Sequence, residues 1–411
     1  FCECTSLEFI SIPSTVKIFG EYAFYHCLRL IHVELREGLE RIEQMAFREC
    51  ASLERISIPS TVKVIGEHSF ISCTRLMHVE LREGLESIDK GAFCECTSLE
   101  FISIPSTVKI IGECAFCHCI RFFHVELREG LERIDQMAFC ECASLERIVI
   151  PSTVKVIGEH SFISCTRLMN VELREGLEYI DHSAFWGCTS LERINILSTV
   201  KGIGEYSFND CTRLIHVELR EGLENIDHSA FSRCTSLEHI SIPSTVKGIG
   251  IYAFYGCSQL MHVELTEGLE RIDQSAFYQC TSLERISIPS TVKGIGIEAF
   301  LGCAQLMHAE LSEGLESIGE AAFAGCTLLE RIRLPSTVRG IGKEAFLGCA
   351  QLVHVELTEG LESIDEAAFN QCTSLERISI PSTVKVIGIE AFADCTCLVH
   401  VKLSEGLERI H

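Results

Sequence analysis

The sequence is built on a 23-residue period that runs through the whole chain without interruption. The motif Phe-x-x-Cys begins at Phe1 and returns every 23 residues until Phe392, in 18 copies without insertion or deletion. A fixed period of roughly 20–50 residues is typical of a solenoid, in which each unit buries its apolar face only against its neighbours. We therefore expect a single continuous solenoid over residues 1–411. It begins and ends within a repeat, so flanking caps or other domains are expected in the parent chain.

Consecutive units place apolar residues at the same positions but differ in their turns. The units that start at Leu53 and Leu76 both begin with an apolar residue followed by alternating apolar positions, which predicts a short strand with alternate side chains pointing inward. Pro59 ends the strand in one unit, and Gly84 turns the chain in the other. Asp89 is placed to cap a brief helical or 3₁₀ turn. Because the two unit types alternate strictly, the true repeat spans two units, or 46 residues.

This pattern resembles the leucine-rich repeats of the BspA-like family, whose unit reads approximately L-x-x-I-x-(I/L)-P-x-x-(V/L)-x-x-I-G-x-x-(A/S)-F-x-x-C. The matching residues in one unit are Leu53, Ile56, Ile58, Pro59, Val62, Ile65, Gly66, Phe70 and Cys73. The resemblance covers the whole chain and implies a curved leucine-rich-repeat array of about 18 coils. Each coil would carry one short parallel strand, with short turns and loops on the other face. The resemblance also implies adhesion or protein recognition at the surfaces of bacteria and eukaryotic microbes, which favours a cell-surface or secreted location.

Composition excludes several classes of function. The formal net charge is −23, so a basic groove for nucleic acid is not expected, because cation–phosphate contacts dominate that kind of affinity. No apolar run approaches the ~20 residues that span a bilayer, so we expect no membrane insertion by this segment. An active site needs one unique preorganised pocket, whereas every candidate triad recurs along the repeats. We therefore predict a non-enzymatic protein with no catalytic residues, no cofactor and no metal ligands.

The outward positions of the predicted strands are the candidate binding residues. One outward column is rich in arginine and histidine, and the next carries glutamate in alternate coils. The predicted partner-binding strand face consists of Arg55, His78, Glu80, His124, Glu126, Arg147, Arg193, His216, Glu218, His239, His262, Glu264, Arg285, His308, Arg331, His354 and Arg377. Arg55 is expected to lie diagonal to Glu34 and Glu80, within reach of exposed ion pairs.

Two functions are compatible with this face. The first is a recognition array that presents a concave, charge-patterned strip to a protein or glycan. The alternative is a structural spacer or scaffold with no specific ligand, whose polar face only prevents strand-to-strand aggregation. Exposed aromatic residues just after the core phenylalanine, such as Trp186 and Tyr255, would favour recognition because aromatic side chains often anchor interfaces.

The 24 cysteines divide into a repeat column and a small remainder. Eighteen belong to the motif and are predicted to be buried free thiols that pack on their copies. The other six are Cys2, Cys94, Cys114, Cys117, Cys140 and Cys397. Residues 114–118 fit the haem-attachment pattern Cys-x-x-Cys-His, but haem attachment there would dismantle a coil around its core Phe116. Cys94, Cys117 and Cys140 share a surface-proximal column, where a disulfide, a metal site or an oxidation-sensitive patch all remain open.

Three histidines of the strand face fall on consecutive coils. His216, His239 and His262 are flanked by Glu218 and Glu264. Imidazole and carboxylate groups in this arrangement could bind zinc or respond to mild acid. The simpler interpretation, which we prefer, is a polar strip of exposed histidines.

Overall fold

The computed structural model describes residues 1–411 and contains 36 strands and no helix. The chain divides into two compact units, Phe1–Thr212 and Arg213–His411. In both units every coil contributes a long strand of three or four residues, followed by a short strand of two. Strands of the same kind pair in parallel between successive coils, so each unit is a solenoid with a long-strand sheet and a short-strand sheet.

The long strands lie at the positions that the alternating pattern predicts. In the first unit they are Phe9–Ser11, His32–Glu34, Arg55–Ser57, His78–Glu80, Phe101–Ser103, His124–Glu126, Arg147–Ile150, Asn170–Leu173 and Arg193–Ile196. In the second unit they are His216–Leu219, His239–Ser241, His262–Glu264, Arg285–Ile288, His308–Leu311, Arg331–Arg333, His354–Glu356, Arg377–Ser379 and His400–Lys402. Neighbouring strands pair in register one period apart, for example Arg55 with His78.

A short strand follows each long strand. In the first unit these are Ile18–Phe19, Arg41–Ile42, Val64–Ile65, Ser87–Ile88, Ile110–Ile111, Arg133–Ile134, Val156–Ile157, Tyr179–Ile180 and Gly202–Ile203. In the second unit they are Asn225–Ile226, Gly248–Ile249, Arg271–Ile272, Gly294–Ile295, Ser317–Ile318, Gly340–Ile341, Ser363–Ile364, Val386–Ile387 and Arg409–Ile410. The single strand per coil that the sequence predicts is therefore joined by a second one.

The motif phenylalanines form a continuous stack inside each unit. Phe277, Phe300 and Phe323 are fully buried, with ring centroids 5.3 Å and 5.2 Å apart and nearly parallel planes. Stacking at this distance adds to the gain from removing the rings from water. Because each ring contacts its copies in the coils before and after it, the stack couples neighbouring coils along the unit.

All 18 motif cysteines are free thiols, and 16 of them are buried, as predicted; Cys4 is exposed and Cys395 is half-buried. The buried thiols also form hydrogen bonds between coils. The Cys73 thiol donates to the Phe47 carbonyl of the preceding coil at 3.1 Å, and Cys303 donates to Phe277 at 3.2 Å. Burial raises the pKa of Cys73 to about 12, so its thiol stays protonated and keeps its role as a donor. The cysteine column therefore satisfies carbonyl groups that the turns leave inside the coil.

The segment around each motif phenylalanine is a series of turns rather than the helical or 3₁₀ turn expected near Asp89. Residues two before and two after the phenylalanine have left-handed backbone angles, for example Met45 with φ 54° and Glu49 with φ 61°. Alternate amides then point to the next coil: Met45 donates to Glu67 at 2.8 Å, and Phe47 donates to Ser69 at 2.8 Å. A helix cannot form here because it would use those amides within its own turn.

The alternation of two unit types also has a structural cause. The Gly38 amide donates to Thr61 Oγ1 at 2.9 Å, and the same hydroxyl donates to the Leu39 carbonyl at 2.7 Å. Gly38 has φ 118°, and a Cβ at this residue would lie 2.2 Å from the Ser14 carbonyl oxygen. Only glycine fits this contact, so the glycine-containing turn of one unit type is matched to the serine–threonine turn of the other.

The contact between the glycine-containing turn and the serine–threonine turn of the next coil also makes the fold sensitive to acid. The Ser290 backbone amide donates to the Glu267 carboxylate and holds the pKa of Glu267 below its ordinary value of 4.5, and the amides of Ser244 and Ser382 do the same for Glu221 and Glu359. Because the folded-state pKa is lowered, this stabilisation is present above the unfolded-state pKa and is lost as the pH falls through the folded-state pKa.

We therefore expect the urea concentration at the unfolding midpoint of the native chain to decrease when the pH is lowered below about 4.5. The triple variant Glu221→Gln, Glu267→Gln, Glu359→Gln should have a lower midpoint at neutral pH and a weaker dependence on acid. Urea denaturation at several pH values, monitored by circular dichroism, measures both effects. Parallel curves for the native chain and the variant would contradict this origin of the acid sensitivity.

Candidate functional site

The long-strand sheet places the predicted binding residues together on one face of each unit. Arg55, His78, Glu80, His124, Glu126, Arg147 and Arg193 lie on the first unit, and the predicted residues from His216 to Arg377 lie on the second. All of them are exposed except His124 and His308, which are half-buried. The inward residue of most long strands, such as Ile56, is buried. This alternation fixes which side chains a partner can reach.

The ion pairs expected between Arg55 and the glutamates of the adjacent coils are absent. Glu80 instead accepts a hydrogen bond from Ser57 at 2.7 Å and lies 3.4 Å from Arg82 in its own coil. Ser57 is the in-register partner of Glu80 and lies directly beside it, whereas Arg55 lies two residues earlier along its strand. The Ser57 hydroxyl lowers the pKa of Glu80, and Ser103 does the same for Glu126.

The arginines that begin long strands have no ion-pair partner. Most other arginines of the chain do have one, including Arg82 with Glu80 and Arg271 with Asp273. The unpaired, exposed long-strand arginines are Arg55, Arg147, Arg193, Arg285, Arg331 and Arg377. Each guanidinium presents a planar set of donors to solvent that no carboxylate of the chain satisfies. These six arginines are the most distinctive chemical feature of the face.

Shallow grooves run across the long-strand face. One, of about 710 Å³, lies in the second unit and is lined by Arg331, Arg333, His354, Glu356 and Arg377 among others. In the first unit, one groove of about 270 Å³ is lined by His32, Glu34, Arg55, His78 and Glu80, and another of about 230 Å³ by His124, Glu126, Arg147 and Arg174. The grooves therefore coincide with the predicted columns.

Sequence reasoning missed Arg333, which lines the same groove as the unpaired Arg331 and Arg377. Arg333 Nε is 3.5 Å from Glu356 Oε1, and the side chain lines the groove of about 710 Å³ in the second unit. Its column usually carries serine in this type of unit, so the departure from the repeat was the available signal. Arg174 lines one of the smaller grooves and was also missed.

The non-motif cysteines do not form a reactive patch. All are free thiols; Cys94 and Cys114 are half-buried, while Cys117 and Cys140 are buried rather than surface-proximal. A hydrogen bond with the Cys117 sulfur, together with burial, raises the pKa of Cys94 well above the ordinary value. A raised pKa disfavours the thiolate that oxidation requires, so the oxidation-sensitive patch is not supported.

The haem interpretation and the histidine zinc site are also not supported. The motif Cys119 is fully buried and donates to the Phe93 carbonyl at 3.2 Å within an intact coil, so the coil that haem attachment would dismantle is fully formed. His239 pairs in register with His216 and His262, but the ligand atoms of these residues do not gather within 4.8 Å as a common ion would require.

The fold and the face together define a leucine-rich-repeat solenoid. The family model for the BspA type leucine rich repeat region matches residues 1–122, 86–215, 179–307 and 293–411. The chain therefore belongs to the BspA-type leucine-rich-repeat family, which confirms the predicted family and fold class. Proteins of this kind are generally interaction or surface scaffolds. No helix in the structure has the length and apolar character needed to cross a membrane.

One solved structure shows the same architecture, and others are similar to parts of it. A leucine-rich repeat protein from Bacteroides ovatus is 27% identical, with a TM-score of 0.72 over 97% of this chain and 92% of that one. A leucine rich cell surface protein from Faecalibacterium prausnitzii is 24% identical, with a TM-score of 0.44 over 97% and 88% of the two chains. The pneumococcal vaccine antigen PcpA is 22% identical, with a TM-score of 0.47 over 87% and 88%. No curated relative matches the chain.

Proposed function

We propose that this chain is a non-catalytic recognition array that binds a protein partner through its long-strand face. The observation that carries the proposal is the set of six exposed arginines without ion pairs that begin long strands of that face. Four of them, Arg55, Arg147, Arg331 and Arg377, also line its grooves. Arginine is enriched at protein interfaces because its guanidinium binds carboxylates with two parallel hydrogen bonds and also stacks on flat groups.

The surrounding charges favour a partner with a mixed surface. Carboxylates on the partner would face Arg331 and Arg377, while cationic side chains would face glutamates such as Glu264. The overall charge of −23 steers positively charged surfaces toward the chain and affects mainly the rate of association. The local arginines would then fix the register of the complex, since a wrong alignment places like charges opposite each other.

A spacer or scaffold with no ligand is the competing function. Such a chain needs surface charge for solubility, and ion-paired arginines like Arg271 and Arg339 already meet that need. Unpaired guanidinium groups gathered on one face have no comparable role in stability, which favours recognition. The 23-residue period also continues unchanged past residue 212, which supports our proposal that residues 1–411 form one solenoid. Family membership supports a cell-surface or secreted location.

Charge-matched variants test the proposal. In the variant Arg285→Ala, Arg331→Ala, Arg377→Ala, we expect the affinity for a captured and identified protein partner to fall at least about a hundredfold, because each lost interfacial arginine costs about 1–2 kcal/mol. The control Arg271→Ala, Lys293→Ala, Arg339→Ala removes the same charge from ion-paired positions and should leave affinity within about threefold.

Calorimetric titration of the purified partner measures both affinities, and circular dichroism verifies that both variants fold. Equal losses in the two variants would show a general charge effect and contradict recognition by this face. Binding to immobilised glycans but not to proteins would replace the protein partner by a glycan. Failure to capture any partner with the native chain would favour the spacer.

A further inference from the structure

We propose a zinc-binding site formed by Glu159, His160 and His182 in the first unit. These three residues each place one ligand atom within 4.8 Å of the other two, and no other group of histidine, cysteine, aspartate or glutamate side chains in the structure does so. The Glu159 Oε1 atom lies 3.2 Å from His160 Nε2. All three side chains are half-buried, so the site is sheltered but reachable from solvent.

The turns around the motif phenylalanines bring the three residues together. Glu159 and His160 precede Phe162 in one coil, and His182 precedes Phe185 in the next. The left-handed backbone of His160, with φ 54°, turns its amide toward the next coil, where it donates to the His182 carbonyl at 2.9 Å. The backbone positions of both histidines are therefore fixed by the same hydrogen bond that joins neighbouring coils throughout the solenoid.

The donor set and its dimensions suit zinc. Zinc binds imidazole nitrogen and carboxylate oxygen at about 2.0–2.2 Å, so two ligand atoms at a tetrahedral angle lie roughly 3.4 Å apart. The Glu159–His160 separation already matches that distance. The His182 ring stands edge-on to His160, with centroids 5.2 Å apart and an interplanar angle of 89°, and its ligand nitrogen lies within 4.8 Å of the other two ligand atoms. Calcium and magnesium favour all-oxygen ligands.

A second carboxylate lies beside the site. The Glu205 Oε2 atom is 3.8 Å from His182 Nδ1, and the Asp181 carboxylate accepts the His182 backbone amide at 2.8 Å. Carboxylates next to a ligating imidazole orient the ring and favour a cation nearby. His160 Nδ1 is buried without a hydrogen-bond partner, so Nε2, which faces Glu159, is the nitrogen that an ion would reach.

The chain contains a natural control for this site. Glu67 and His68 repeat the Glu159–His160 pair, with Oε1 and Nε2 3.4 Å apart. The position equivalent to His182 is Lys90, which pairs with Glu113 at 2.9 Å. That coil therefore has two of the three ligands and a cation in place of the third. Because the Glu67–His68 pair lacks only the second histidine, comparing zinc binding at the two places measures the contribution of His182.

The test is a zinc titration of the full chain in which the exposed Cys2, Cys4 and Cys397 are replaced by serine, because exposed thiols also bind zinc. We expect one zinc ion per chain by calorimetry, and an absorption spectrum of tetrahedral coordination with Co²⁺. His182→Lys, which copies the natural control, and Glu159→Gln should each weaken zinc binding at least about tenfold. His68→Ala should leave zinc binding unchanged.

Because the ligands come from two neighbouring coils, zinc should also raise the thermal midpoint of the chain, and His182→Lys should remove that shift. Magnesium should not reproduce it. If His182→Lys disturbs the fold, the zinc affinity of Glu159→Gln still tests the site. Zinc affinity that is unchanged in both variants, or reduced equally by His68→Ala, would overturn the assignment.

Discussion

Replacing Phe300 by alanine should lower the free energy of unfolding by about 3–5 kcal/mol, the range for large aromatic residues in well-packed cores. Phe300 is fully buried between Phe277 and Phe323 in the stack. Removing the ring takes away its own burial and both stacking contacts, and leaves a cavity that the rigid neighbouring coils cannot close. Chemical denaturation of the native chain and the variant measures the change.

The control for this variant is Leu301→Ala, at the adjacent residue. Leu301 is half-buried at the variable position after the motif phenylalanine, so its loss should cost no more than about 1 kcal/mol. Hydrogen exchange should show the effect of Phe300→Ala concentrated in the adjacent coils, because each coil is stabilised mainly by its neighbours. Similar losses for the two variants would mean that the stack does not dominate the stability of the coil.

Gly314→Ala should destabilise the second unit by about 3 kcal/mol, because it combines backbone strain with a clash. Gly314 has φ 113°, and a Cβ at this residue would lie 2.2 Å from the Ser290 carbonyl oxygen. Its amide also donates to Thr337 Oγ1 at 3.1 Å, so a shift that relieves the clash breaks the contact with the following coil. The denaturation midpoint and its hydrogen-exchange map provide the measurement.

Gly340→Ala is the matched control for the glycine prediction. Gly340 lies on a short strand, and the nearest atom to a Cβ there is the Ser363 hydroxyl at 3.2 Å, the end of a side chain that can rotate away. The variant should change stability by less than about 1 kcal/mol. If both alanine variants unfold at the native midpoint, the close contact between alternating units is not what requires glycine.

The strand positions and the core were predictable because they follow from local alternation repeated at a fixed period. A residue such as Ile56 is apolar in a strand pattern that recurs 23 residues later, so the sequence alone indicates that it points inward. The turns were not predictable in the same way. The left-handed residues near each phenylalanine include Met45 and Glu49, types that give no local signal for that conformation.

The candidate face was predictable as a set of positions but not as a set of interactions. The column from Arg55 to Arg377 could be read directly from the repeat. That Arg55 lacks an ion pair depends on the in-register Ser57, which donates a hydrogen bond to Glu80, and this is a relation between coils. The proximity of Glu159 and His182 was missed because the two residues occupy the same repeat position in neighbouring coils. Many charged residues recur at that spacing, so the sequence does not single these two out.

The sequence by itself determined the family, the solenoid architecture and the outward residues, because one short pattern repeated without interruption leaves a single way to bury its apolar positions. The tertiary structure alone decided the hydrogen bonds between coils, the unpaired arginines and the grouping of Glu159, His160 and His182. The physical reason is that these features depend on atoms that the stacking of coils brings within a few ångströms of each other. Stacking brings together residues about 23 positions apart, and the local conformational preferences of those residues do not determine such contacts.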